Sequence, residues 1–218
     1  MQSLCFAVGI TTVTLSPDAD PINVRENTQT TLQCRTSGGI PAAKVNWFIQ
    51  RSGQVQDVTS LSTNTYQEEG DLNVTLSTLN FTPLKFDQSG QIYCSANNVG
   101  VDRISTKPSI NVLYGPKTGI LQNVSKVRGE NLVYQCLYTP GNPPTVDFEW
   151  TRSGTDNSWV KQNTQNLTIP NVQRSDEASY TCNVSSLLRP TLISAMITQW
   201  GGKFDVTTQQ RIPRICRS

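Results

Sequence analysis

The chain has 218 residues, with 18 Lys and Arg against 16 Asp and Glu, a formal net charge of +2 at pH 7. This small and dispersed charge argues against nucleic-acid binding, which needs a basic stripe along the phosphates. The chain has no histidine, so the usual serine or cysteine hydrolase relay lacks its general base, and we expect no enzyme, no cofactor and no metal site.

The chain begins with a short apolar run, Leu4 to Ile10. Its seven residues lie at the lower limit for the apolar region of a secretion signal, and no basic residue precedes them. We interpret residues 1–11 as a weak signal peptide or a truncated leader, with the tail of an earlier domain as the alternative.

One residue pattern then occurs twice. Cys34 precedes Trp47 by thirteen residues, and Cys136 precedes Trp150 by fourteen. Apolar residues also lie fifteen, thirteen and ten positions before a second cysteine in each copy: Leu79, Phe81 and Leu84 before Cys94, and Leu167, Ile169 and Val172 before Cys182. Side chains that alternate between core and solvent along strands are typical of two sheets packed roughly 10 Å apart. The repeat therefore predicts two copies of one all-β domain.

The two copies resemble immunoglobulin-like domains in tandem, as found in cell-adhesion receptors. The resemblance implies an all-β fold of two tandem immunoglobulin-like β-sandwiches, each with a disulfide between its sheets and a core tryptophan packed against it. It assigns Cys34 with Cys94 beside Trp47, and Cys136 with Cys182 beside Trp150. The alternative is a fibronectin type III sandwich, which would not explain the repeated spacing of cysteine and tryptophan.

The resemblance also implies a tyrosine corner in the second copy. Tyr180 lies two residues before the second cysteine, where its hydroxyl can bond back to the preceding turn near Asp176. The first copy departs from this pattern, because Ile92 stands at the tyrosine position and Gln88 at the aspartate position. We therefore expect the corner hydrogen bond in the second domain only.

The boundary between the copies lies at Tyr114, where a predicted strand is followed by Gly115 and Pro116. Proline cannot donate to a sheet ladder, so it ends the strand. We expect a first domain at 12–114 and a second at 115–198.

The copies differ in their middles. From Trp47 to Leu79 there are 32 residues, enough for two extra strands, whereas from Trp150 to Leu167 there are only 17. The first domain is therefore expected to be intermediate-set-like and the second to be shorter and constant-like. Residues 199–218 show no strand alternation and are expected to form a basic, disordered tail, with a weak contact to an anionic glycan as the alternative.

Five Asn-x-Ser/Thr triplets predict N-glycosylation, at Asn73, Asn80, Asn123, Asn166 and Asn183. Glycosylation and disulfides both belong to the secretory pathway. No stretch approaches the ~20 apolar residues of a membrane span. We expect an extracellular chain, either secreted or the ectodomain fragment of a plasma-membrane protein.

Strand phase predicts a partner-binding surface in the first domain. If Trp47 and Cys94 face inward, then Phe48 and Tyr93 face outward on two neighbouring strands. An exposed aromatic pair on a sheet face is typical of an interface centre, although scattered surface aromatics are also ordinary. We predict that this face, with the adjoining loop, binds a protein partner through homophilic or heterophilic immunoglobulin-domain contacts. The predicted partner-binding residues are Phe48, Tyr93, Asn97, Asn98 and Arg103.

The resemblance favours cell adhesion or cell-surface recognition as the function. Since one fold serves many functions, two alternatives stay open: innate immune recognition of microbial or glycan ligands, and a structural extracellular-matrix module.

Overall fold

The computed structural model describes residues 6–119, 121–153, 161–186 and 204–205, and their regular structure consists of β-strands with short 3-10 turns. The chain divides into two units, Met1–Tyr114 and Gly115–Ser218.

The first unit contains two four-stranded sheets and a short parallel pair. Its strands are β1 Val13–Ser16, β2 Ile22–Arg25, β3 Thr30–Thr36, β4 Lys44–Arg51, β5 Gln54–Asp57, β6 Ser62–Glu69, β7 Leu72–Phe81, β8 Gln91–Asn98, β9 Val101–Ile104 and β10 Ile110–Leu113. One sheet has the order β1-β3-β7-β6 and the other β5-β4-β8-β9, and both are antiparallel. β2 and β10 pair in parallel.

The core of the first unit lies between these sheets. The side chains of β4 alternate, so that Val45, Trp47 and Ile49 are buried while their neighbours are partly exposed. A disulfide between Cys34 on β3 and Cys94 on β8 joins the two sheets. Each large apolar side chain that is fully buried in this way contributes about 1.5–3 kcal/mol to folding.

The amino-terminal segment is part of this unit, contrary to the expectation that residues 1–11 lie outside it. Val8 pairs with Ile40 through two backbone hydrogen bonds of 2.9 Å. Ile10 is 1% exposed and belongs to the core. A short apolar run is compatible with a leader and with a buried core segment. The packing of Ile10 distinguishes the two. Residues 1–5 lie outside the described residues.

The second unit has shorter strands. They are β11 Lys117–Thr118, β12 Val124–Ser125, β13 Leu132–Gln135, β14 Tyr138–Thr139, β15 Val146–Arg152, β16 Asn166–Ile169, β17 Tyr180–Ser186 and β18 Phe204–Asp205. β11 pairs with β14, β13 with β16 and β15 with β17, all antiparallel, and β12 pairs with β18 in parallel. A disulfide joins Cys136 to Cys182, and Trp150 is fully buried.

Strand β18 corrects the expected boundary of the second domain. The sequence predicts an end of this domain at residue 198, but Phe204 and Asp205 pair with Val124 and Ser125. The parallel pair resembles that of β2 and β10 in the first unit, so β18 occupies the equivalent position. A two-residue strand has too few side chains to show alternation, which is why the sequence did not reveal it. The other residues of the 199–218 segment, and with them the predicted anionic glycan contact, lie outside the described residues.

The turn before β17 contains the tyrosine corner. The Tyr180 hydroxyl donates to the Asp176 carbonyl oxygen at 2.9 Å. The Asp176 carboxylate in turn accepts from the backbone N–H of Gln173 at 2.8 Å.

In the first unit the equivalent aspartate is Asp87, not the residue at position 88. Its carboxylate accepts from the backbone N–H of Leu84 at 2.7 Å, the same bond that Asp176 makes in the second unit. Gln88 instead accepts from the N–H of Val112 at 2.7 Å. The first copy has one extra residue between this aspartate and its cysteine, and the same shift leaves Leu84 38% exposed.

Candidate protein-binding surface

The candidate surface is the outward side of the sheet β5-β4-β8-β9, which we call the outer face. The strand register sets its rows. Phe48 lies opposite Asp57 on one side and Tyr93 on the other, and Ser95 lies between Asn46 and Ile104. The complete outer face consists of Lys44, Asn46, Phe48, Gln50, Val55, Asp57, Gln91, Tyr93, Ser95, Asn97, Asp102 and Ile104.

An aromatic pair occupies the centre of the outer face. The rings of Phe48 and Tyr93 are stacked, with their centroids 5.4 Å apart. Phe48 is half-buried, but Tyr93 is only 8% exposed, so the expectation that both rings are exposed is wrong for Tyr93. The ammonium group of Lys107, from the connection between β9 and β10, lies 4.3 Å from the centroid of the Tyr93 ring. Phe48 and Lys107 together contact the ring of Tyr93.

Two aliphatic side chains on the flanking strands supply exposed apolar area. Val55 on β5 is 54% exposed and Ile104 on β9 is 55% exposed. They lie on either side of the central strands β4 and β8. Neither residue follows from the strand phase around Trp47 and Cys94, whereas the pairing of β9 with β8 places Ile104 beside Ser95.

The predicted binding loop at 97–103 is a hairpin, and its residues point in different directions. The turn falls at Val99 and Gly100, which have φ of 43° and 76°. Asn97 is exposed on the outer face, where its side chain donates to the Asp102 carboxylate at 2.6 Å. Asn98 and Arg103 have the opposite phase.

Asn98 is an interior residue, and its predicted place on the binding surface is wrong. It is 4% exposed. Its Oδ1 accepts from the N–H of Ile10 at 2.9 Å, and its Nδ2 donates to the carbonyl oxygens of Val8 at 2.8 Å and Pro41 at 3.0 Å. Its side chain therefore joins the segment 8–10 and the backbone at Pro41 to β8.

Arg103 is exposed, but it lies off the outer face. It pairs with Ala96, whose side chain faces the core. Its guanidinium donates to the carbonyl oxygens of Thr11 at 3.2 Å and Asp102 at 2.9 Å. Of the three predicted loop residues, only Asn97 shares a face with the aromatic pair.

The strands of the outer face are neutral in the middle and charged towards the edges, and the Lys107 ammonium lies over the ring of Tyr93 at the centre. The central strands present neutral polar side chains: Asn46, Gln50, Gln91 and Ser95. Lys44, Asp57 and Asp102 lie at the ends or on the flanking strands. Hydrogen bonds from Thr59, including its N–H at 2.8 Å, hold the pKa of Asp57 below its usual range, so this carboxylate is ionised at neutral pH.

None of the five N-glycosylation triplets lies on the outer face. Asn80 is exposed on β7, in the opposite sheet. Asn73 is the second residue of the same strand and is half-buried, and the hydroxyl-bearing Thr75 of its triplet is fully buried. The other three acceptors belong to the second unit.

The acceptors of the second unit differ in exposure. Asn123 and Asn166 are exposed. Asn183 on β17 is half-buried opposite Glu149, and its Oδ1 is buried without a hydrogen-bond partner. A hydrogen bond and the charge of Lys161 lower the pKa of Glu149, whose carboxylate accepts from the Lys161 ammonium at 2.6 Å.

The described residues contain neither a metal-ligand cluster nor a membrane-spanning helix. Within those ranges, no three His, Cys, Asp or Glu side chains come together as metal ligands. No helix among them has the length and apolar character needed to cross a membrane.

Comparison with known proteins identifies the two sandwiches. A model of the CD80-like C2-set immunoglobulin domain matches residues 13–102, and a model of the immunoglobulin domain matches residues 116–186. Mouse (Mus musculus) Cell adhesion molecule 3 is 30% identical over 169 residues, which cover 75% of this chain and 41% of that protein. Human Cell adhesion molecule 4 is 28% identical over 187 residues, which cover 80% and 46%.

The chain spans less than half of the length of these curated relatives. Among solved structures, the ectodomain of mouse nectin-like molecule 4 aligns with a TM-score of 0.46 and 22% identity, over 83% of this chain and 61% of that one. The two family models match separate parts of the chain, one for each sandwich, and together they match more than half of it. The chain belongs to the immunoglobulin superfamily and contains two tandem immunoglobulin domains.

Proposed function

We propose that this chain is an extracellular part of a cell-adhesion or cell-surface recognition protein, and that it binds a protein partner through the outer face of its first domain. The observation that carries the proposal is the composition of that face. Exposed Val55 and Ile104 flank the half-buried ring of Phe48, and the adhesion molecules among its relatives support this class of function.

Apart from the Lys107 ammonium over the Tyr93 ring, the face has the composition of an interface centre. Interface centres are depleted in charge and enriched in aromatic and aliphatic side chains that can be fully desolvated. The neutral amides of Asn46, Gln50 and Gln91 can exchange hydrogen bonds with water for hydrogen bonds with a partner. Lys44 and Asp102, at the rim, would act on the association rate more than on the affinity.

The glycosylation triplets support the same face. An N-glycan is bulky and would keep a partner away from the surface that carries it. The exposed acceptor of the first domain, Asn80, is on the opposite sheet, so glycosylation there leaves the outer face open.

The disulfides support an extracellular location. One joins Cys34 on β3 to Cys94 on β8, and the other joins Cys136, directly after β13, to Cys182 on β17. Such bonds persist in oxidising compartments and are rare in the cytosol.

Charge substitutions on the outer face provide the test. We expect Val55→Asp and Ile104→Asp to abolish the aggregation of beads coated with the full chain, or its binding to cells that carry the partner. Gln33→Asp, exposed on β3 in the opposite sheet, is the matched control and should leave binding unchanged. The proposal would be contradicted if all three variants lost binding equally. It would also be contradicted if all three bound as well as the unsubstituted chain.

An added glycan provides a second test that leaves the core intact. The double substitution Asp102→Asn with Ile104→Thr creates an N-glycosylation triplet on β9. We expect the glycosylated double variant to lose binding, and enzymatic removal of its glycan to restore the level of the Ile104→Thr single variant. Full binding in the presence of the glycan would place the partner site elsewhere.

A further inference from the structure

Tyr66 differs from the other tyrosines in its exposure. The chain has six tyrosines, all within the described residues. The Tyr66 side chain is 61% exposed, whereas Tyr93 and Tyr180 are 8% and 1% exposed, and the other three are half-buried. An enzyme that modifies the folded protein can therefore reach the Tyr66 hydroxyl most readily.

The backbone around Tyr66 is accessible too. Tyr66 lies in the middle of β6, the last strand in the sheet order β1-β3-β7-β6, which pairs with β7 alone. Residues 63–69 are all exposed. An edge strand offers unpaired N–H and C=O groups, and an extended segment of this kind can dock into an enzyme groove by strand addition.

The charged residues that lie near Tyr66 in the sequence are all acidic. Residues 61–71 contain Glu68, Glu69 and Asp71, and no Lys or Arg. Glu68 lies two residues from Tyr66 and therefore projects to the same side of the strand. Glu69 pairs with Arg35 from β3, while Glu68 and Asp71 are exposed. Such a segment is complementary to an enzyme groove lined with basic side chains.

We propose that Tyr66 is a site of tyrosine O-sulfation. The sulfuryl donor is a phosphoadenosine phosphosulfate. The Tyr66 phenolic oxygen attacks the donor sulfur and forms a new O–S bond, while the bond between that sulfur and the bridging phosphate oxygen breaks. The phenolic proton passes to a base of the sulfotransferase, and the donor leaves as the adenosine bisphosphate.

The modification would extend the acidic character of the β6 edge. An aryl sulfate carries a permanent negative charge, which would lie beside Glu68 and on the same side of the strand. The resulting cluster favours a partner with a basic surface. This inference goes beyond the proposed binding face, and it shares with the proposed function only the passage through the secretory pathway.

Peptide mapping tests the site directly. Trypsin cleaves after Arg51 and Lys85, and Tyr66 is the only tyrosine in the peptide 52–85. The full chain, secreted from animal cells behind an added secretion signal and then freed of N-glycans, should yield this peptide with the added mass of one SO₃. Radiolabelled sulfate should enter the same peptide. Tyr66→Phe should remove both signals, and Tyr134→Phe should leave them unchanged.

Acidic variants test the proposed recognition. We expect Glu68→Gln combined with Asp71→Asn to lower the sulfated fraction of the peptide, and Glu177→Gln in the second domain to have no effect. Equal sulfation in both variants would contradict the role of the acidic residues.

Other outcomes would overturn the site itself. If the secreted chain is glycosylated and disulfide-linked but Tyr66 is unmodified, the sulfation site is wrong. The proposed extracellular location would still stand. A phosphate in place of the sulfate, recognised by its removal with phosphatase, would overturn the site as well. If Tyr66→Phe is not secreted, the map of the unsubstituted chain decides alone. Loss of binding through the outer face is measured separately and does not bear on Tyr66.

Discussion

Arg51 at the end of β4 pairs with the carboxylate of Asp87, whose side chain is 1% exposed. The ring of Phe86 lies 4.9 Å from the guanidinium carbon of Arg51. Asp87 also accepts from the N–H of Leu84. This cluster anchors the turn before β8.

We expect Arg51→Met to destabilise the first domain by about 3–5 kcal/mol, because it leaves a buried carboxylate without its cation. Arg35→Met is the matched control. The Arg35 and Glu69 side chains are 44% and 54% exposed, and loss of an exposed pair costs about 0–1 kcal/mol. Urea unfolding of both variants measures the difference, and equal losses would show that the burial of Asp87 does not determine the energy.

The two core tryptophans use different hydrogen-bond acceptors. Trp47 Nε1 donates to the Ser77 hydroxyl at 2.9 Å, and Trp150 Nε1 donates to the backbone carbonyl of Thr164 at 3.0 Å. Ser77→Ala should therefore leave a buried donor unpaired and cost about 1–3 kcal/mol. Thr164→Ala keeps the carbonyl and should change stability by less than about 0.5 kcal/mol. Tryptophan fluorescence during unfolding is the readout, and an unaffected Ser77 variant would contradict the prediction.

Asn97 and Asn98 are adjacent in sequence, but we expect their substitution to change the stability of the first domain by different amounts. Asn98→Ala removes three hydrogen bonds between a buried side chain and backbone groups, and we expect it to cost at least about 2 kcal/mol. Asn97→Ala removes one exposed bond to Asp102 and should leave stability nearly unchanged. Thermal unfolding checks both variants. A stable Asn98→Ala protein that had lost only its binding would restore Asn98 to the partner site.

The Asp57 carboxylate should make the first domain sensitive to acid. Because Thr59 lowers its folded-state pKa, Asp57 contributes stability above the unfolded value of about 3.9, and this contribution is lost as pH falls through the folded-state pKa. Asp57→Asn keeps an acceptor for the Thr59 N–H but cannot titrate. Its urea midpoint should decline less than that of the unsubstituted chain between about pH 5 and pH 2. Parallel declines would contradict the prediction.

The fold could be predicted from the sequence where the evidence is local and repetitive. The spacing of Cys34, Trp47 and Cys94 reflects strand lengths between two sheets, and alternation along β4 assigns Trp47 to the core. The same alternation puts Phe48 and Tyr93 on one face. These features depend only on neighbours along each strand.

The finer features of the site depend on contacts between distant segments. Tyr93 is covered by Lys107, which follows a different strand, and Asn98 is buried because Val8, Ile10 and Pro41 approach it. Neither contact has a periodic signal in the sequence. The corner aspartate is Asp87 and not residue 88 because the first copy has one extra residue before Cys94. Counting the same number of positions back from each cysteine therefore gives the wrong residue.

The packing of Ile10 limits where a protease could shorten this protein during maturation. A cut after residue 11 would delete a core side chain, a loss of about 2–5 kcal/mol for an isoleucine, and would remove two of the three backbone partners of Asn98, those of Val8 and Ile10. A processing site compatible with an intact first domain therefore has to lie upstream of Val8.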